Sequence, residues 1–102
     1  MKLRPYPVSL NGNILESDQF GFVVVKGGEP QAIVFRCRGP NRPPNGMQCL
    51  VNIVRGDPDL IAHRHGWDGN RDEPTITPSI GCDSHPRRCG WHGNIIKGEI
   101  TP

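Results

Sequence analysis

The sequence predicts an all-β domain: a small, mostly antiparallel sheet or sandwich of short strands and hairpins. Three observations carry this expectation. Among 102 residues stand 13 glycines and 11 prolines, about twice the share in average usage of roughly 12%, and both residue types break helices. The longest stretch free of them, Met47 to Arg55, is shorter than an ordinary helix. Ile and Val number 16, whereas Leu, Ala and Met together number nine, which is the stock of strands joined by tight turns. The length supports one domain, residues 1–102, without a second core.

The elements follow in chain order. Val8 to Leu15 alternates weakly around Asn11-Gly12, a hairpin turn pair. Phe20 to Lys26 is a stronger strand, and Gly27-Gly28-Glu29-Pro30 turns the chain into a strand over Gln31 to Arg38. The turn-rich loop Gly39 to Gly46 leads to the strand Met47 to Arg55. If these two strands pair about a centre near Pro43, Cys37 opposes Cys49, Phe35 opposes Val51 and Ile33 opposes Ile53. All six side chains then share one face, because the side-chain period of a strand is two.

Asp57 to His65 is the one place for a helical turn or two, begun by Asp57-Pro58 and ended by Gly66. Trp67-Asp68-Gly69-Asn70 is an aromatic followed by a turn. In the strand Pro74 to Gly81, Ile76 and Ile80 face away from Thr75, Thr77 and Ser79, and Pro78 places the strand at an edge or a bulge. The chain closes with a hairpin, Asn94 to Ile100, turning at Lys97-Gly98.

A chain so rich in loops needs stability beyond its core, and four cysteines with four histidines make a metal the first candidate. Cys89-Gly90-Trp91-His92 is a zinc-knuckle spacing that can place a sulfur and an imidazole on one ion. With Cys37 and Cys49 it forms a set of three cysteines and one histidine: Cys37, Cys49, Cys89 and His92. Zn2+ suits these ligands and would be structural, closing a tetrahedral shell and joining the central hairpin to the C-terminal one. Cys82 leaves two alternatives open, an all-cysteine site in which it replaces His92 and a buried neighbour of the metal. A Rieske-like iron-sulfur site would need two histidines, each close to a cysteine, and only Cys89 with His92 fits. His63, His65 and His85 read as loop residues.

No zincin, deaminase, phosphate-loop or Gly-x-Ser-x-Gly pattern occurs. A closed shell also leaves no position for water on the metal. The expectation is therefore a non-enzymatic binding module. Nine arginines against three lysines give a net charge of only +2, and Arg36, Arg38, Arg42, Arg87 and Arg88 would gather near the metal end. That arrangement points to an unidentified protein partner of host or phage, with single-stranded nucleic acid as the alternative. Trp67 and Trp91 read as core. No secretory leader or membrane span is visible, so the expected place is the cytoplasm of the host cell, with reduced thiols.

Pro74-Thr75-Ile76-Thr77-Pro78-Ser79-Ile80, followed by Cys89-Gly90-Trp91-His92-Gly93 and Gly98-Glu99, resembles an uncharacterised family of small phage and bacterial proteins. Its members often carry the label ammonia monooxygenase, which a chain of this length cannot support. The resemblance extends over roughly residues 33 to 100 and implies the same Cys37, Cys49, Cys89 and His92 ligands. It brings no established activity.

Overall fold

A computed structural model describes residues 1–6, 15–24, 28–37, 39, 48–81 and 90–101. The expected turn at Asn11-Gly12, most of the Gly39 to Gly46 loop, and Arg38, Arg42, Cys82, His85, Arg87, Arg88 and Cys89 lie outside these residues.

Among the described residues there is no helix. The strands are β1 (Arg4–Pro5), β2 (Gln19–Val24), β3 (Pro30–Arg36), β4 (Gln48–Arg55), β5 (His65–Trp67), β6 (Ile76–Gly81), β7 (His92–Ile96) and β8 (Glu99–Ile100). They form one curled sheet, a half-barrel, with neighbours in sequence order. β1 with β2 and β4 with β5 run parallel, and the other pairs are antiparallel. The N-terminal residues reach both ends of the sheet. Leu3 N donates to Gly98 O and Ile100 N to Met1 O, while Arg4 N donates to Asp18 O and Tyr6 N to Phe20 O.

Strand alternation fills the inside of the curl. On β4, Cys49, Val51 and Ile53 are buried while Leu50 and Asn52 are exposed. They join Phe20, Ile33, Phe35, Trp67, Ile76, Ile80, Trp91, Ile95 and Ile100 in one core. Both tryptophans are buried as expected, and each indole finds an acceptor: Trp67 Nε1 donates to Asn70 O and Trp91 Nε1 to Thr101 O, both at 3.0 Å. β3 is buried on both faces. Its Ala32 and Val34 lie opposite the core residues.

The β3–β4 register differs from the expected one. Phe35 opposes Cys49 and Ile33 opposes Val51, a slip of two residues. A slip of two keeps every side chain on its face, so Cys37 and Cys49 remain neighbours as a diagonal pair. The segment 57–64 is a loop closed by reciprocal bonds between Asp59 and Arg64, with Asp59 Oδ1 accepting from Ala62 N, instead of a helical turn. β5 follows it, a strand of three residues that sequence periodicity could not find. The last hairpin turns where expected. Lys97 at φ 48° and Gly98 at φ 77° make the two left-handed positions of a type I′ turn.

Arg4 clasps Asp18 through two hydrogen bonds, 2.6 Å from Nε and 2.8 Å from Nη2. These bonds hold the Asp18 carboxyl below the usual carboxylate range. A carboxyl that is more acidic when folded adds stability above its unfolded pKa, about 3.9, and loses that contribution as pH falls through the folded value. Asp18→Asn should lower Tm by a few degrees at most at pH 7, as exposed pairs do, and leave it unchanged near pH 2. An equal drop at both pH values would assign Asp18 a role unrelated to its charge.

Candidate functional site

The chemistry gathers on β5, β6 and β7. Between β6 and β7, Ile76 opposes Ile95 and Ile80 opposes Gly93. Three residues of β6 therefore face one of β7, and the strand bulges at Thr77-Pro78-Ser79. Thus Pro78 marks a bulge inside the sheet and not an edge. Bulges re-aim side chains and are frequent beside active sites. Here the bulge carries Ser79.

Gly81 opposes His92 across the same pair. Ser79 and Gly81 are two apart and share a face, so the imidazole of His92 stands diagonal to Ser79. Gly81 has no side chain to obstruct it. A Cβ placed there would lie 3.6 Å from His92 Cδ2, which shows that the ring leans over this glycine. The result is a contact of 3.2 Å between Ser79 Oγ and His92 Nε2.

A second imidazole holds the other side of the same residue. His65 Nε2 lies 3.1 Å from the carbonyl oxygen of Ser79. A carbonyl only accepts, so His65 Nε2 carries the proton and donates it. His65 is half-buried, and Gly66 behind it is packed too tightly for any side chain: a Cβ would come 2.5 Å from Gly56 O. Among the described residues no carboxylate bonds to either imidazole. His65 is thus part of the site and not the solvated loop residue expected from its sequence context. No linear spacing marks this serine, because its partners sit 13 and 14 positions away, on other strands.

Of the cysteines expected to bind metal, Cys37 and Cys49 are among the described residues. Cys37 Sγ and Cys49 Sγ are 3.5 Å apart and buried, and Cys49 is disulfide-bonded. Cys89 lies outside the described residues, and His92 contacts Ser79. Among the described residues no three His, Cys, Asp or Glu side chains gather as a metal site. Of the arginines expected to form a binding patch, Arg36 is engaged with the backbone, donating from Nη1 to Leu15 O at 2.8 Å. A separate surface concavity is lined by Lys2, Glu73, Ile96, Lys97, Glu99 and Thr101. None of the three residues around Ser79 enters it.

A serine hydroxyl on an imidazole nitrogen is the core of a nucleophilic site. The family model described as "Bacterial ubiquitination-like system serine protease (BubE)" matches residues 10–102. No curated protein and no solved structure matches the chain. The family match overturns the expectation of a non-enzymatic binding module, and with it the exclusion of enzyme activity. That exclusion assumed that His92 closed a metal shell and that catalysis would show a linear motif. A serine and a histidine brought together from two strands leave no such motif.

Proposed function

The chain belongs to the BubE family of bacterial ubiquitination-like system serine proteases, and from that premise we propose that it hydrolyses peptide or isopeptide bonds with Ser79 as nucleophile and His92 as general base. The 3.2 Å contact between Ser79 Oγ and His92 Nε2 is the observation that carries this reading. Ser79 Oγ attacks the scissile carbonyl carbon while its proton passes to His92 Nε2. The tetrahedral intermediate collapses, the C–N bond breaks, and the leaving amine takes the proton from His92. Water, deprotonated by the same nitrogen, then cleaves the acyl-serine. His65 acts as a positioning residue, fixing the Ser79 peptide through its carbonyl. The substrate class is a protein of a ubiquitination-like system, as the family's description indicates.

The experiment is active-site labelling with a fluorophosphonate probe, read by intact mass and peptide mapping. One adduct on Ser79, lost in His92→Ala, is expected. Labelling elsewhere, or none in a folded protein, would remove the assignment. Gly81 offers a finer check. Alanine there meets His92 at ordinary contact distance and should be tolerated, whereas Gly81→Val should push the imidazole off Ser79 and cut kcat about 100-fold, the cost of misplacing a catalytic group by about 1 Å. Unchanged kcat in a folded Gly81→Val protein would show that His92 does not need its place over Gly81.

A further inference from the structure

We propose that Asn94 is a further catalytic residue of this site, its side-chain amide donating a hydrogen bond to the oxyanion that forms when Ser79 attacks; this role rests on the protease reading. Between the pairs Ile76 with Ile95 and Ile80 with Gly93, the residues Thr77, Pro78 and Ser79 of β6 face Asn94 alone. Successive side chains of a strand point to opposite faces, and β7 shows this: Gly93 and Ile95 are buried, whereas His92 is exposed and Asn94 half-buried. Asn94 therefore shares the face of His92. Two outward residues of one strand, the base and an amide, stand opposite the turn of β6 that carries the nucleophile.

The backbone of Asn94 is committed on the other side. Its N–H donates to Thr101 Oγ1 at 2.9 Å, and its carbonyl accepts from Thr101 N at 3.0 Å. Thr101 follows β8, which lies across β7 from β6. Gly93 permits this close approach, since a Cβ there would collide with Thr101 Oγ1. The main chain of Asn94 is thus held in place, while its side-chain amide makes no hydrogen bond among the described residues. Pro78 has no N–H, so the bulge is short of backbone donors of its own. The unspent donor opposite the bulge is the NH2 group of Asn94.

Attack by Ser79 Oγ turns the scissile C=O into C–O⁻ while the serine proton passes to His92. The new negative charge sits on the former carbonyl oxygen, where a fixed amide N–H lowers the barrier. When the C–N bond breaks, the electron pair returns to the carbonyl and the amine takes the proton from His92. Asn94 neither gains nor loses a proton, and it serves the same oxygen again when water attacks the acyl-serine. A neutral donor also leaves His92 basic, whereas a Lys or Arg in its place would oppose the imidazolium that must form.

The test uses the full chain and the rate at which a fluorophosphonate probe labels Ser79, measured by intact mass across a range of pH. Its phosphoryl oxygen takes up charge as the carbonyl oxygen does. Asn94→Ala should label Ser79 about 100- to 1000-fold more slowly, the cost of removing one oxyanion donor, with the shape of the pH profile and the Tm unchanged. Asn94→Asp, of the same size but with no N–H to donate, should be at least as slow. It keeps the test intact if alanine loosens the strand. A wild-type rate in either folded variant would overturn the proposal, and so would a displaced pH profile, which would place Asn94 on His92. The two readings separate in the wild type. An adduct on Ser79 that Asn94→Ala forms at full rate leaves the protease reading standing and removes Asn94; no adduct on Ser79 removes both.

Discussion

Ser79→Ala should abolish hydrolysis of a protein substrate, lowering kcat/KM by about 10^4-fold or more, the range seen when a nucleophile acting with its base is removed. The change deletes one oxygen. Ser79 is only half-buried and sits on a bulge, so the fold should lose little, and Tm should stay within a few degrees of wild type. His92→Ala should be nearly as inactive, and the double variant no worse than either alone, because the two groups act as one unit. His65→Ala should keep measurable activity with a lower kcat, since it holds the Ser79 carbonyl and takes no proton from the nucleophile. His65→Gln, which still offers a donor, should recover part of it. Full activity in Ser79→Ala would show that the reaction uses another group, whatever the 3.2 Å contact suggests.

Trp67→Ala should act in the opposite way, removing the fold and the activity together. Trp67 is almost completely buried and lies at the centre of the half-barrel. Its ring packs on Phe22 at 5.2 Å, Phe22 meets Phe20 edge-on at 5.6 Å, and the Arg55 guanidinium lies over the Trp67 ring, 5.5 Å from its centroid. Removing such a side chain costs about 3–5 kcal/mol, against a total stability of about 5–15 kcal/mol for a domain of this kind. Tm should fall by about 15 °C or more. Trp67 is also two residues from His65, so what remains folded should work poorly. Trp67→Phe, which keeps most of the area but not the bond to Asn70 O, should lie between. A Tm in Trp67→Ala near that of wild type would mean that the core does not depend on this ring.

Much of the fold was legible because it depends on local chemistry. Glycine and proline density excluded helices, β-branched runs located β2, β3, β4 and β6, and Lys97-Gly98 named the last turn. Alternation placed Cys37 and Cys49 on one face even though the register was off by two, since such a slip leaves the face unchanged. β5 escaped notice because three residues, one of them glycine, show no period. Its discovery matters more than its length, since it carries His65.

The site was less legible, for a different physical reason. His92 stands out in the sequence beside a cysteine three positions away, a spacing that points to a metal and says nothing of Ser79. Ser79 lies on a strand that the sequence predicts, but no neighbour in sequence gives it a role. What joins them is the pairing of β6 with β7, the bulge that re-aims Ser79, and a glycine whose missing side chain lets an imidazole lean across. Pro78 hints at the bulge, but the pairing and the place of the glycine leave no trace in linear spacing, because each depends on which residue stands opposite which. The sequence alone determined an all-β chain with Cys37 and Cys49 on a common face. Only the tertiary structure decided that His92 faces a serine, because contacts between strands are set by register, and composition carries no record of it.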